Sequence, residues 1–389
     1  MAGYIFSIKK PKKKKIQPAD NPYLQFCINN GVYSTIQKPP SNRKGWLTAH
    51  EGTFADYLSM KPGDNIYFFS DRKIFGIGKL TSVDTDTKEC KYLNYPKSLE
   101  PEVQRYNDIK GKMVLNKKEN INNRIVCTFE PSPYFFINGV DMDDILSFKP
   151  ERFRMLRAFW KLSFIKIDDE ENKALRDIIL KRNEEYIYSQ KNVFSFKKDV
   201  HNKINNIMDY NYKVSSKDIL KYSSKEDFIK HEMAVEAGII DVLSSDEKNI
   251  FGHWDYISHQ VIASPFKPID YMDKIDIFGY RYIMGFDTIS KYLLIEIKKD
   301  TATKDAVDQT MKYVDWINQE YAAGDYSMIE AFIVAYDFPK KVIDYKNEIC
   351  VRNYTKGRRP IVSDKWMNVR LIKYSYDVNT ETLKFVEVK

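Results

Sequence analysis

Apolar positions recur with different spacings along this chain, and the changes of spacing divide it into three regions. Up to about residue 150 the apolar residues come in short aromatic-rich runs bounded by turn residues. Residues 63–83, "GDNIYFFSDRKIFGIGKLTSV", hold two such runs around a polar turn and predict a β-hairpin. Residues 124–137, "RIVCTFEPSPYFFI", predict another strand followed by a proline-broken aromatic segment. "TFADYLSM" (53–60) is a candidate helix in a region that otherwise reads as a β barrel or a strongly curved sheet. From about 148 to 222 the apolar residues fall three and four apart. "PERFRMLRAFWKL" and "EENKALRDIILKRNEEYIYS" therefore predict helices, with "SFIKIDDEEN" giving an acidic helix start. The Lys- and Asn-rich stretch 194–216 completes what reads as a helical connector, with a domain boundary between 190 and 220.

The third region runs from about 217 to the end. "SSKEDFIKHEMAVEAGII" predicts a helix, with Ser223 and Glu226 at capping-box spacing. "HQVIAS", "KIDIFG" and "KYLLIEIKK" predict strands, and "ATKDAVDQTMKYVDWINQEY" a long helix. "MIEAFIVAYD" predicts a buried strand, and "NVRLIKYSYDV" with "TLKFVEV" a closing hairpin. This order predicts a mixed sheet with helices on its faces, so the fold class is α/β locally and α+β for the whole chain.

Composition narrows the class. At 389 residues with 43% hydrophobic positions, the chain can build two or three domains with real cores. The net charge of +8 is a mild excess, which permits nucleic-acid binding without requiring it. Basic residues concentrate at 8–15, "IKKPKKKK", a solvated terminus, a set of phosphate contacts or an import signal. Cys27, Cys90, Cys127 and Cys350 are far apart, and there is no His-Glu-x-x-His, which argues against zinc and against a disulfide framework. Reduced thiols, the lack of an apolar run of about 18 residues and the lack of an apolar segment after the basic start predict an intracellular, cytoplasmic protein without a membrane span or signal peptide.

The candidate chemistry lies in the third region. Asp276 sits between Ile275 and Ile277, so in a strand it faces away from both. Glu296 and Lys298 are two apart and share a face, with Ile295 and Ile297 on the other. If the two strands pair, Asp276 and Glu296 can share a divalent ion, and Lys298 stands beside the attacking water or a phosphate. The backbone carbonyl of Ile297 is a further candidate ligand. Gln309 and Tyr313, one helical turn apart, are neighbours that could hold a phosphate or support the lysine. Asp270 and Asp273 are rival acids, with Asp273 reading as the end of a turn. Lys299 and Asp300 read as leaving the strand for solvent, and His253 and His259 as structural histidines.

An acid in one strand, Glu-x-Lys on the next and Gln-x-x-x-Tyr in the following helix resemble the PD-(D/E)XK nuclease superfamily, in particular its RecB-like exonuclease branch and NucS-like endonucleases. The resemblance covers roughly 220–389 and is sharp over 273–316, where "YLLIEIKKDTATKDAVDQTMKYVDWI" carries it. The proline of the superfamily name is absent, since Ile275 precedes Asp276. The resemblance implies a restriction-endonuclease-like domain over 217–389 that hydrolyses double-stranded DNA with Mg2+, or with Mn2+ as its substitute. It also implies a glutamate on the helix before the sheet, and both Glu226 and Glu232 are candidates.

The first region has a grammar of its own: a Trp before a helix, a Pro-Gly-Asp turn, an aromatic strand and a Gly-x-Gly strand. It resembles PUA-like domains of the EVE and YTH branch over about 1–165, with 166–216 as connector. That resemblance implies an aromatic pocket for a modified or flipped base. Trp46, Tyr67, Phe68, Tyr134 and Phe135 are candidate walls, each also readable as barrel core, and Asp64 reads as a turn former. The acids of "SPYFFINGVDMDDILSF" could bind a cation or cap the following helix. A reader joined to a cutter is the logic of modification-dependent restriction in prokaryotic phage defence, and cutting both strands predicts a homodimer. A NucS-like repair nuclease and a nucleic-acid-binding protein with an inactive nuclease fold are the alternatives.

Overall fold

The computed structural model describes residues 1–9, 16–37, 48–83, 89–95, 105–115, 124–158, 163–208, 213–245, 247–263 and 273–388. Trp46, Asp270 and most of the basic run lie outside them. The chain divides into two compact units, Met1–Ser215 and Ser216–Lys389. Each is α+β.

The first unit contains β1 (Gly3–Ser7), α1 (Pro22–Asn30), β2 (Val32–Ile36), α2 (Thr48–Leu58), β3 (Asn65–Ser70), β4 (Lys73–Leu80), β5 (Lys91–Leu93), α3 (Tyr106–Ile109), β6 (Arg124–Pro131), β7 (Val140–Asp141), α4 (Met142–Phe148), β8 (Phe164–Ile167), α5 (Asp169–Arg182), α6 (Glu184–Ser189) and α7 (Asp199–Ile207). Its sheet runs β2-β6-β4-β3-β1-β8, with β5 beside β6 and β7 beside β4. Among the described residues no pairing joins β2 to β8, so of the two forms expected, a β barrel or a strongly curved sheet, the sheet is a half-barrel and the PUA-like barrel is not confirmed. The hairpin read from sequence is β3–β4. Its turn places Asp71 and Arg72 at φ 49° and 67°, the left-handed geometry that matches strand twist in two-residue turns. The Gly-x-Gly of β4 has a steric cause. A Cβ on Gly78 would lie 2.4 Å from the Phe135 ring, and one on Gly76 2.7 Å from Tyr67.

Those contacts decide the place of the aromatic residues. Tyr67, Phe68 and Phe135 are fully buried. Phe68 packs among the rings of Phe6, Tyr33, Phe129 and Phe135, and the Tyr67 hydroxyl donates to Asn172 Oδ1 at 2.7 Å. Tyr134 is half-buried against Phe136. The three buried rings are core and offer no open face for a base. Asp64 shapes its turn as read, accepting from the backbone N–H groups of Ala2 and Lys61.

The segment read as a connector is also core. Strand β8 pairs with β1. Asp168 caps α5 by accepting from the Glu171 N–H, and Leu175, Ile178 and Ile179 pack with Ile5, Tyr67 and Ile77. The helix expected over "PERFRMLRAFWKL" is, among the described residues, one short turn at Leu156–Ala158. In "SPYFFINGVDMDDILSF", Asp141 caps α4 by accepting from the Asp143 N–H.

The second unit contains α8 (Lys217–Ser223), β9 (Ser224–Lys225), β10 (Phe228–Ile229), α9 (Glu232–Ser244), β11 (Tyr256–Ile262), β12 (Lys274–Tyr282), β13 (Ile289–Thr301), α10 (Lys304–Glu320), β14 (Ile329–Asp337), α11 (Lys340–Ile349), β15 (Arg352–Arg358), β16 (Ile361–Trp366), β17 (Val369–Asp377) and β18 (Thr382–Val388). Its main sheet runs β11-β12-β13-β14-β17-β18. The β13–β14 and β14–β17 pairs are parallel and the others antiparallel. The centre of β13, Tyr292 to Ile297, is buried throughout, as a strand covered on both faces requires. The predicted capping box is absent. Ser223 ends α8, and Glu226 is an exposed residue at φ 58° in the turn between β9 and β10. All four cysteines are buried free thiols. Among the described residues no helix is long and apolar enough to cross a membrane.

Candidate active site

Strands β12 and β13 are antiparallel with Ile277 opposite Ile295, and one further step along that ladder brings Asp276 and Glu296 abreast. The Asp276 carboxylate accepts the Ile297 backbone N–H at 2.7 Å through Oδ2. Glu296 is 0% exposed and Asp276 8%. Lys298 shares the Glu296 face, as alternation along the strand requires, and its Nζ donates to Glu296 Oε1 at 2.6 Å. The other carboxylate oxygen, Oε2, is buried without a hydrogen-bond partner.

Helix α9 brings a third buried acid, Glu236, which is 2% exposed. Its Oε2 lies 3.3 Å from His259 Nδ1. The Gln260 amide nitrogen donates to Glu236 at 3.1 and 3.2 Å and to Asp276 Oδ1 at 3.3 Å, bridging the two acids. Gln260 is at φ 52° inside β11, a left-handed conformation that a residue with a side chain adopts at a cost. Its neighbours His259 and Val261 pair with Ile277 and Ile275, which sets Gln260 opposite Asp276. Glu232, one turn before Glu236, accepts the Lys299 backbone N–H at 3.2 Å.

Crowding of carboxylates in a buried place governs their protonation. Burial pushes Asp276 well above the usual carboxylate range, and the charges of Glu296 and Glu236 push it further. Burial raises Glu296 to about 7 against the lowering pull of Lys298. Glu236 is raised by burial, which outweighs its bonds to His259 and Gln260. Burial alone would lower Lys298, but Glu296, Glu232 and Asp276 hold it above its ordinary value. It is therefore an ammonium at neutral pH.

On α10, Gln309 donates to the Tyr313 hydroxyl at 3.0 Å, and that hydroxyl donates to the Lys274 carbonyl at 2.7 Å. The pair thus fastens the helix to the start of β12. Burial, with the charges of Glu296 and Asp276 nearby, pushes the Tyr313 phenol up to about 12. Asp273 pairs with Lys312 at 2.9 Å and, with Tyr313 and Trp316, lines a cavity of about 230 Å³. Asp300 is exposed and paired with Lys299, and His253 is exposed near Asp255.

No protein-family model and no curated protein matches the sequence. Among solved structures the chain is similar to a repair endonuclease from Pyrococcus abyssi, at 19% identity over 33% of this chain and 46% of that one, with a TM-score of 0.21. The chain thus spans less than half of that protein's length, and a likeness of this size carries no argument about either unit.

The structure gathers Asp276, Glu296, Ile297, Lys298 and Glu232 at one place, with Gln309 and Tyr313 on the adjoining helix. Glu226 is not among them, and no described contact ties it to these acids. Sequence reasoning missed Glu236 and Gln260 and read His259 as structural only. A signal for Glu236 existed, since it is the one charged residue in the buried run from Ala234 to Ile240 and follows Glu232 by one helical turn. Nothing in a single sequence marks Gln260.

Proposed function

We propose that the second unit is a metal-dependent nuclease that hydrolyses phosphodiester bonds in DNA. The observation that carries this reading is the buried Asp276–Glu296 pair with Lys298 bonded to it and Glu236 behind it. Among the described residues no group of three or more His, Cys, Asp or Glu side chains is close enough to hold a metal ion by itself. Magnesium does not require one. It keeps several waters and binds through one or two carboxylates together with substrate phosphate oxygens. The donor set fits that habit. All of its side-chain ligands are carboxylates, one oxygen of Glu296 is buried without a partner, and burial with the neighbouring acids disfavours the ionised form of Asp276, a penalty that a bound cation would offset.

Asp276 and Glu296, with the Ile297 backbone between Glu296 and Lys298, are the residues that would hold Mg2+ or Mn2+. When bound, the ion would activate a water and offset charge on the phosphate. Lys298 has the role of a fixed cation. The neighbouring carboxylates hold its pKa above the ordinary value, and its remaining N–H donors can meet the charge that grows on the phosphate oxygens. Gln260 holds the carboxylates of Asp276 and Glu236 in register. Tyr313 and Gln309 brace the start of β12, and the phosphate contact or support of Lys298 expected of them stays part of the proposal.

A modification-dependent mode of cutting needs an open aromatic slot in the first unit. Tyr67, Phe68 and Phe135 are core and do not supply one, while Trp46 lies outside the described residues and Tyr134 is half-buried, so we propose only metal-dependent cleavage of DNA. The test is incubation of supercoiled plasmid with the full chain in magnesium, in manganese and in a chelator. Nicking or linearisation is expected with either metal and none in the chelator. Asp276→Ala, Glu296→Ala and Lys298→Ala should each abolish it while the far-ultraviolet circular dichroism is unchanged. Undiminished cleavage by these variants would remove the site assignment.

A further inference from the structure

Strands β15 and β16 form a two-stranded ribbon that joins neither edge of the main sheet. They pair from Arg352–Trp366 out to Arg358–Ile361, with Arg359 and Pro360 as the whole connection. An isolated ribbon of this kind is marginal in water unless something fixes it. Here the base is fixed. Arg352 makes a bidentate pair with Asp315 on α10, at 2.8 and 2.7 Å. The Trp366 indole donates to the Ile329 carbonyl at 3.0 Å, and the Tyr326 ring packs against both Tyr354 and Trp366.

The tip is the opposite in character. Arg358, Arg359 and Pro360 are exposed, and Ile361 and Val362 are 77% and 46% exposed. Lys356 pairs with Asp364, whereas Arg358 and Arg359 have no described acidic partner. Two guanidinium groups and two apolar side chains held out on an anchored ribbon serve no core. The cations also guard the ribbon's open edges against pairing with a second copy.

We propose that this ribbon is an arm that enters the major groove of duplex DNA. The proposal rests on the reading of the second unit as acting on DNA. Paired strands are about 4.8 Å apart, and the B-form major groove is about 12 Å wide, which admits a two-stranded ribbon with its side chains. The A-form major groove of duplex RNA is too narrow for it. Arg358 and Arg359 meet the phosphates that flank the groove, and Ile361 meets base edges, where thymine methyl groups offer an apolar surface. The base of the arm lies on the helix that carries Tyr313, since Asp315 follows it by two residues.

The test measures fluorescence anisotropy of a short labelled DNA duplex with the full chain in chelator, so that nothing is cut. Arg358→Ala/Arg359→Ala is expected to weaken binding about tenfold and to flatten the dependence of log K on log salt by about 1.8, or 0.9 per lost phosphate contact. Arg358→Lys/Arg359→Lys should keep the slope, and Ile361→Ser should weaken binding without changing it. Both double variants should melt at the wild-type temperature because the tip is exposed. Unchanged affinity and slope in the alanine variant would overturn the proposal, as would an equal loss on duplex RNA or no duplex binding by the wild type. The nuclease reading fails separately, through persistent plasmid cleavage by Asp276→Ala.

Discussion

Replacing Glu296 by Gln should make the metal-free protein more stable while destroying its response to magnesium. Glu296 is fully buried, and its pKa is raised from 4.5 to about 7, chiefly by burial. A carboxyl whose folded pKa is raised contributes stability that is complete below its unfolded value and lost as pH rises through the folded one. The window here is therefore pH 4.5 to about 7, and above it the folded protein carries the whole cost of the confined charge. At 1.4 kcal/mol per pKa unit that cost is about 3 kcal/mol. The amide keeps the shape and an acceptor for Lys298, and removing the charge also relieves Asp276. The variant should thus gain about 1–3 kcal/mol at pH 8 in chelator, a rise in melting temperature of about 3–10 °C for a unit of this size. At pH 5 the gain should fall to about a quarter of that, because the unfolded carboxyl is still mostly ionised there while the folded one is neutral. Magnesium should raise the wild-type midpoint, because binding to the native state alone stabilises it, and should leave the variant almost unmoved. Urea unfolding of both proteins at the two pH values, with and without magnesium, measures all of this. A variant destabilised equally at pH 5 and pH 8, with a wild-type response to magnesium, would show that Glu296 is neither a confined charge nor a metal ligand.

Gln260→Gly removes the amide bridge but relieves a left-handed backbone that costs roughly 1–2 kcal/mol in a residue with a side chain. Its stability should stay within about 1 kcal/mol of wild type, while the magnesium concentration for half-maximal cleavage rises about tenfold, as loss of a ligand-orienting partner does. An unshifted magnesium titration would show that the bridge does not orient the acids. Tyr313→Phe loses the bond to the Lys274 carbonyl and the one from Gln309, and should lower urea stability by about 1–2 kcal/mol. Adding Gln309→Ala should cost little more, and a double-mutant cycle with additive losses would contradict the shared brace.

Much of the second unit was legible because its strands and long helix carry a core-facing pattern. β11 to β14, α10 and the β17–β18 hairpin stand where the apolar spacing puts them. The strand parity that set Glu296 and Lys298 on one face also holds. The β15–β16 ribbon was missed because it buries little along most of its length, so no alternation of apolar and polar residues announces it. The start of α9 was misplaced by a Ser-x-x-Glu spacing that the chain uses for a turn, with Ile229 rather than a helix face buried beyond it. In the first unit, aromatic residues suited to a pocket were also suited to a core. Only the packing of Phe135 over Gly78 and of Phe68 among four rings separates the two uses. The periodicity of α5 was correct, but periodicity gives the apolar face of a helix and not what covers it, which here is the sheet of the same unit.

Metal-dependent cleavage of DNA by these buried acids is what we propose for the second unit. Single-turnover cleavage of an end-labelled duplex across a magnesium titration, with wild type and Asp276→Ala side by side, tests it most directly. The wild-type rate should rise from zero in chelator to saturation, with no product from the variant at any magnesium concentration. Cleavage in chelator, or a variant that cuts at the wild-type rate, would contradict it.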